Sequence, residues 1–182
     1  MRVRRFNDEV LFTEDPIVTL GPEEMQVLKE RARENPRQRI RLCAHRDTSD
    51  RLHEMFIVHG KDAYVRPHKH LNKIESAHVI EGLVDLIIFD ADGGIAEVMS
   101  MGDYASGRAF YHRIDEPSFH TLLIRSEVLV FHEVTNGPFQ EADNVLAPWS
   151  PDESDSEAVN DYLHLLNRSV EEFLGRRSGS ET

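Results

Sequence analysis

From Arg39 to Glu133 the chain carries no helical pattern. Short apolar segments fall at 40–44, 53–59, 63–69, 75–80, 83–89, 95–100, 107–113, 119–125 and 127–134, separated by turn signals. Each is long enough for a strand and too short for a typical helix. Eight or nine in succession, with no helix between them, point to an all-β sandwich or barrel. Asp90-Ala91-Asp92-Gly93-Gly94 is a strong hairpin turn, because Asp and Gly tolerate the positive φ such turns need. Arg125-Ser126-Glu127 is a weaker one.

The flanks differ. Residues 1–20 hold Val10-Leu11-Phe12 and Ile17-Val18, broken by Asp and Pro, which read as edge strands or an arm. Gly21-Pro22-Glu23-Glu24 is a helix start, with proline at the first helical position and two acids at the positive end of the dipole. Met25, Leu28 and Ala32 form an apolar stripe that Pro36 ends, so a helix is predicted over 22–34. After Gly137-Pro138 the chain turns irregular and acidic. Ser154 or Ser156 can cap a last helix, with Ala158, Tyr162, Leu165, Leu166, Phe173 and Leu174 on its apolar face and Gly175 as its stop. The division is an arm and helix (1–36), a β-barrel domain (37–153), a C-terminal amphipathic helix (154–175) and a disordered tail (176–182). The last helix must cover either the barrel or a second subunit, and a homodimer is expected.

With 182 residues the chain has room for one domain and its extensions. A net charge of −12 argues against nucleic-acid partners. Arg31 to Arg46 is a basic exception, read as an ion-paired face or an anion site. No apolar run reaches the roughly 20 residues of a membrane span, and no signal-type segment follows Met1. A cytoplasmic protein with no membrane partner is therefore expected. The single cysteine, Cys43, reads as a core residue rather than a nucleophile.

Chemistry concentrates in Pro67-His68-Lys69-His70, followed by Glu75 and Gly82. Residues two apart on a strand share a face, so His68 and His70 project together, and Glu75 needs only a short turn to join them. Two neutral imidazoles and a carboxylate suit one divalent transition metal, Zn, Fe, Mn, Ni or Co, and suit calcium poorly.

His68-x-His70, Glu75 and Gly82 resemble the first cupin motif, although Gly60 stands two residues farther from His68 than the general pattern has it. The resemblance implies a cupin jelly-roll β-barrel and one more histidine from a later strand, best met by His120 at the start of an apolar strand, although the second motif's glycine is missing before it. A narrower likeness rests on Tyr64-Val65-Arg66-Pro67-His68-Lys69-His70, Lys73-x-Glu75, Phe89-Asp90-x-x-Gly93, Phe119-His120-Thr121, Glu133-x-x-x-Gly137-Pro138-Phe139 and Ala147-Pro148-Trp149-Ser150-Pro151-Asp152-Glu153. Together with Arg37, Arg39, Arg41, His45 and His53-Glu54-Met55, these resemble the WbuC-type cupin-fold metalloproteins over roughly residues 21–153. That family is found near surface-polysaccharide genes, and its name implies no reaction.

Several residues could complete a catalytic set. Arg66 shares the parity of His68 and His70, so on a regular strand it points into the barrel, to pair with an internal carboxylate or to clamp an anionic substrate. Tyr64 shares that face as a hydrogen-bond donor or a plain core aromatic. Glu133, raised by the resemblance, could orient a ligand histidine or act as a base. His53 could shuttle protons or be an ordinary strand histidine, and Lys73 reads as a solvated loop lysine rather than an active-site acid. Trp149 is a sugar platform or a packing residue. His59, His78, His112, His132 and His164 read as surface or core histidines. Three functions follow: a metal-dependent isomerase or epimerase on a small sugar, sugar phosphate or sugar acid; an Fe(II)-dependent dioxygenase; or a non-catalytic cupin that binds a small ligand.

Overall fold

In the computed structural model, which describes residues 1–178, twelve strands follow one another with a helix near each end. They are β1 (Val3–Arg5), β2 (Val10–Thr13), β3 (Arg39–Cys43), β4 (Leu52–Gly60), β5 (His68–His70), β6 (Glu75–Glu81), β7 (Leu83–Phe89), β8 (Ile95–Gly102), β9 (Tyr111–Ile114), β10 (Phe119–Ile124), β11 (Val128–Asn136) and β12 (Asn144–Leu146). Helix α1 (Pro22–Glu34) lies between β2 and β3, and helix α2 (Ser156–Ser178) ends the described chain.

The strands form two sheets, ordered β1-β2-β3-β4-β11-β6-β9 and β12-β5-β10-β7-β8. From β4 to β11 the chain crosses between them so that the first, eighth, third and sixth strands are neighbours in one sheet and the second, seventh, fourth and fifth in the other. That winding is the eight-stranded jelly roll expected from the sequence. The arm lengthens the larger sheet, because β2 pairs parallel with β3 and β1 antiparallel with β2.

Three apolar layers hold the sheets. Met55, Ile57, Val79, Leu129 and Phe131 of the larger sheet face Val84, Leu86, Met101 and Ile124 of the smaller one. On the outside of the larger sheet, Leu28 and Ala32 of α1 cover Ile40, Leu42, Val58 and Val130. On the outside of the smaller sheet, Leu166 and Val170 of α2 cover Ile87, Phe89, Val98 and Leu123. This settles where the last helix docks. It also explains why Leu83–Phe89 reads as a nearly unbroken apolar run: β7 is buried on both faces.

α1 has the predicted bounds, with the Glu24 carboxylate accepting from the Gly21 N–H at 2.8 Å. α2 begins two residues later than predicted, and Asp155, not Ser154 or Ser156, accepts from the Ala158 N–H at 3.1 Å. The helix continues through Gly175 to Ser178, because a glycine stops a helix only where the chain turns left-handed, and Arg176 and Arg177 suit the negative end of the dipole. Residues 176–178 of the expected disordered tail are thus helical, and its last four residues lie outside the described ones.

Two strands are shorter than the apolar runs suggested. The segment 63–69 yields only β5, because Pro67 offers no N–H to a ladder. The segment 107–113 begins with a left-handed Gly107 (φ 73°), bridges Met101 through Ala109 alone, and forms a regular strand only from Tyr111. Conversely β12, in a stretch read as irregular, pairs with β5. Gly82 makes the one-residue link from β6 to β7 at φ 95°, and a Cβ there would stand 2.3 Å from the Val128 carbonyl oxygen. Among the described residues, no helix is long and apolar enough to cross a membrane.

Candidate metal centre

The jelly roll places His68 of β5 directly opposite His120 of β10, and His70 one inward position farther along β5. Their available ring nitrogens all lie within 4.8 Å of one another. Glu75 arrives from β6 in the opposite sheet, so the cluster bridges the two layers. Its carboxylate accepts from both sides: His70 Nε2 lies 3.0 Å from Oε2 and His120 Nε2 3.0 Å from Oε1.

Backbone carbonyls orient two of the rings. His68 Nδ1 lies 2.8 Å from the Arg66 oxygen, and His120 Nδ1 2.9 Å from the Ser118 oxygen. With each Nδ1 donating to the residue two before it, Nε2 is the nitrogen that faces inward, and it can ligate a metal once it carries no proton. Two imidazoles fixed in this tautomer, a third beside them and one carboxylate fit the donor set of a divalent transition metal, which binds imidazole nitrogen at about 2.0–2.1 Å.

The electrostatics agree. Burial pushes His68 down to about 4, and the charge of His120 adds to the effect. Burial also opposes a charged His120, but the hydrogen bond and negative charge of Glu75 outweigh it and hold that imidazole above its ordinary value. Glu75 lies well below the usual carboxylate range: burial opposes this, and the bonds from His120 and His70 prevail. Both shifts favour a charged imidazolium–carboxylate contact between His120 and Glu75, and a metal ligated by His120 would have to displace that proton.

Cross-strand register gives this cluster polar neighbours. His53, Thr135, Glu75 and Ile114 form one row across the larger sheet, and Met55, Glu133, Ala77 and His112 the next. Glu133 titrates at about 7, raised first by burial and then by the negative charge of Glu75. Thr135 Oγ1 and His112 Nδ1 are buried without a hydrogen-bond partner among the described residues. His112 reads from sequence as an ordinary histidine, and only its pairing opposite Ala77 shows that it faces inward.

Tyr64 and Arg66 do not follow the parity argument, because β5 begins at His68 and Pro67 interrupts the alternation. The Tyr64 hydroxyl donates to the Pro151 oxygen at 3.2 Å, and its ring meets Tyr162 of α2 edge-on. Arg66 pairs with Asp152 at 2.7 Å and donates to Ser150 Oγ and the Ser150 carbonyl, so its partner is a carboxylate of this chain. Trp149 packs against Phe89 and Phe119. His53 is buried and stacked on His45 at 4.2 Å, and Lys73 Nζ donates to the Asn136 oxygen.

A family model described as a domain of unknown function (DUF6016) matches residues 20–101. No curated protein matches the sequence. Among solved structures, the chain is similar to a mutant form of Bacillus subtilis oxalate decarboxylase, with 20% identity and a TM-score of 0.44 over 54% of this chain and 24% of that one. It therefore spans about a quarter of that enzyme's length. It is also similar to protein SO0799 from Shewanella oneidensis, with 10% identity and a TM-score of 0.48 over 58% of this chain and 72% of that one. The Schizosaccharomyces pombe Cnp3 cupin domain aligns with 9% identity and a TM-score of 0.43 over 54% of this chain and 64% of that one.

Proposed function

We propose that this chain is a metal-dependent enzyme that isomerises or epimerises a small sugar, sugar phosphate or sugar acid. The observation that carries the reading is the convergence of His68, His70 and His120 on one point in the barrel, with Glu75 bonded to two of them. In this reading the four residues hold one divalent transition metal, and a bound ion supplies Lewis acidity toward a substrate oxygen. Four such ligands would leave a divalent transition metal one or two positions for water or substrate.

Glu133 is the proton-moving group. It stands one row from Glu75 on the inner face, and a carboxyl titrating near neutrality can both take and return a proton at working pH. Neutralising Glu75 would draw Glu133 back toward the ordinary carboxylate range and leave a larger fraction of it ionised and free to accept a proton. Tyr64 and Arg66 serve by holding the 150–152 segment against the start of β5, which fixes the Arg66 carbonyl that orients His68. The WbuC-type resemblance supports a sugar-derived substrate and a place in surface-polysaccharide biosynthesis, in a cytoplasmic homodimer.

The test is metal analysis of the purified chain, followed by incubation in D2O with sugar phosphates and sugar acids, read by proton NMR. Deuterium uptake at the carbon beside a carbonyl, lost in Glu133→Gln with metal content unchanged, is the expected result. A fully loaded protein that exchanges no proton in any substrate would overturn the enzymatic reading. Oxygen uptake dependent on added Fe(II) would move the site to the dioxygenases.

A further inference from the structure

The basic segment that opens the barrel is not uniform. Arg39 pairs with Glu9 at 2.8 Å and with Glu153 at 3.2 Å, and Arg37 joins the same two carboxylates. Arg41 has no carboxylate within ion-pair reach among the described residues. It shares the parity of Cys43, which is packed in the core between the sheets, so Arg41 leaves β3 on the inner face, where its side chain is exposed to solvent.

Its direction is fixed by one contact. Arg41 stands opposite Ile57, yet its Nη1 lies 3.7 Å from the sulfur of Met55. The side chain therefore leans along β4 toward the row that holds Met55, Glu133, Ala77 and His112, and the next row holds Glu75. The backbones of β3 and β11 are two strand spacings apart, about 10 Å, so a guanidinium lying over Met55 spans much of that gap. Its charge reaches Cys43, His45, His59 and Glu133. Beside Glu75 on the same inner face, Thr135 Oγ1 of β11 and His112 Nδ1 of β9 are buried and unpartnered among the described residues. Such groups are normally satisfied, and hydroxyls of a ligand would satisfy them.

We propose that Arg41 selects an oxyanion: it receives the carboxylate or phosphate of a small polyhydroxylated substrate whose other end reaches the His68–His70–His120 cluster. This rests on the metal-site reading and gives its substrate a charge. A planar guanidinium suits either oxyanion through paired hydrogen bonds, so the anion-binding role falls to Arg41 rather than to the already paired Arg66.

The test is calorimetric titration of the full chain, both metal-free and loaded with Co(II), using D-gluconate, D-glucose 6-phosphate and neutral D-glucitol. Wild type should bind at least one anion in preference to D-glucitol. Arg41→Gln should weaken that anion by about tenfold to a hundredfold while leaving D-glucitol, cobalt content and unfolding temperature unchanged. Arg41→Lys, which keeps the charge and loses the fork, should fall between them. Binding of gluconate alone or of the phosphate alone identifies the oxyanion. Equal anion affinity in wild type and Arg41→Gln, or no anion binding by either form of the wild type, overturns the proposal. If cobalt is not retained the metal reading fails, and the metal-free titrations still decide the role of Arg41.

Discussion

Replacing Glu75 by Gln isolates the metal centre, because it changes one charge and almost no volume. The carboxylate offers acceptors to both His70 and His120, each at 3.0 Å. An amide offers one acceptor and one donor group, so one imidazole must change tautomer to accept from it or lose its partner, and a metal loses its anionic ligand. Changing even a residue that only orients a ligand typically weakens metal affinity about 10- to 100-fold, so losing a direct ligand should cost about 100-fold or more. With free Zn(II) or Co(II) held at 100 times the wild-type Kd, binding stabilises wild type by about 2.7 kcal/mol, and a 100-fold weaker variant by about 0.4 kcal/mol. For a chain of this size the metal-induced rise in Tm should then be about 5–11 °C in wild type and about 1 °C in Glu75→Gln. Differential scanning calorimetry with and without metal measures both. Equal metal-induced shifts in the two proteins would refute a ligand role for Glu75.

Two further outcomes follow from buried charge. His59 is pushed down to about 4 by burial, with the Arg41 charge adding to it, so between pH 6.5 and 4 the unfolded chain binds a proton that the folded chain does not. Stability should fall as pH drops through that window, by up to about 3 kcal/mol from this group. His59→Gln should flatten the pH dependence of the denaturant midpoint, and an unchanged slope would contradict this. Asp85, 3% exposed, accepts from Arg125 Nε at 2.6 Å and from Ser100 Oγ at 2.6 Å, while Arg125 also donates to Asn167 of α2. Arg125→Met should therefore cost about 3–5 kcal/mol in chemical denaturation, and adding Asp85→Asn should recover most of it. A loss below about 1 kcal/mol would mean that Asp85 finds another partner.

Much of the barrel was legible along the chain because strand period and turn chemistry are local. The bounds of α1, the Asp90–Gly94 hairpin and the two histidines of β5 all rest on residues within a few positions of one another. Register was not legible. Whether Arg66 and Tyr64 face inward depended on a strand that Pro67 shortens, and β12 exists because β5 offers its free edge to residues 144–146. Arg41 was visible as one charge in a basic run and as one position of the family likeness, with nothing to set it apart from Arg37 and Arg39. Its separation from Arg37 and Arg39 needs the positions of Glu9 and Glu153, which come from distant parts of the chain.

By itself the sequence determined that this chain would build an all-β barrel flanked by two helices and would place two imidazoles and a carboxylate within eight residues, because those patterns have periods of two and of 3.6 residues. Tertiary structure alone decided that His120 stands opposite His68, that Glu75 crosses from the other sheet to bond two imidazoles, and that the exposed Arg41 leans toward the row that holds Glu133. Those arrangements depend on which strands become neighbours when the jelly roll closes, and strand pairing is set by packing between segments far apart in the chain.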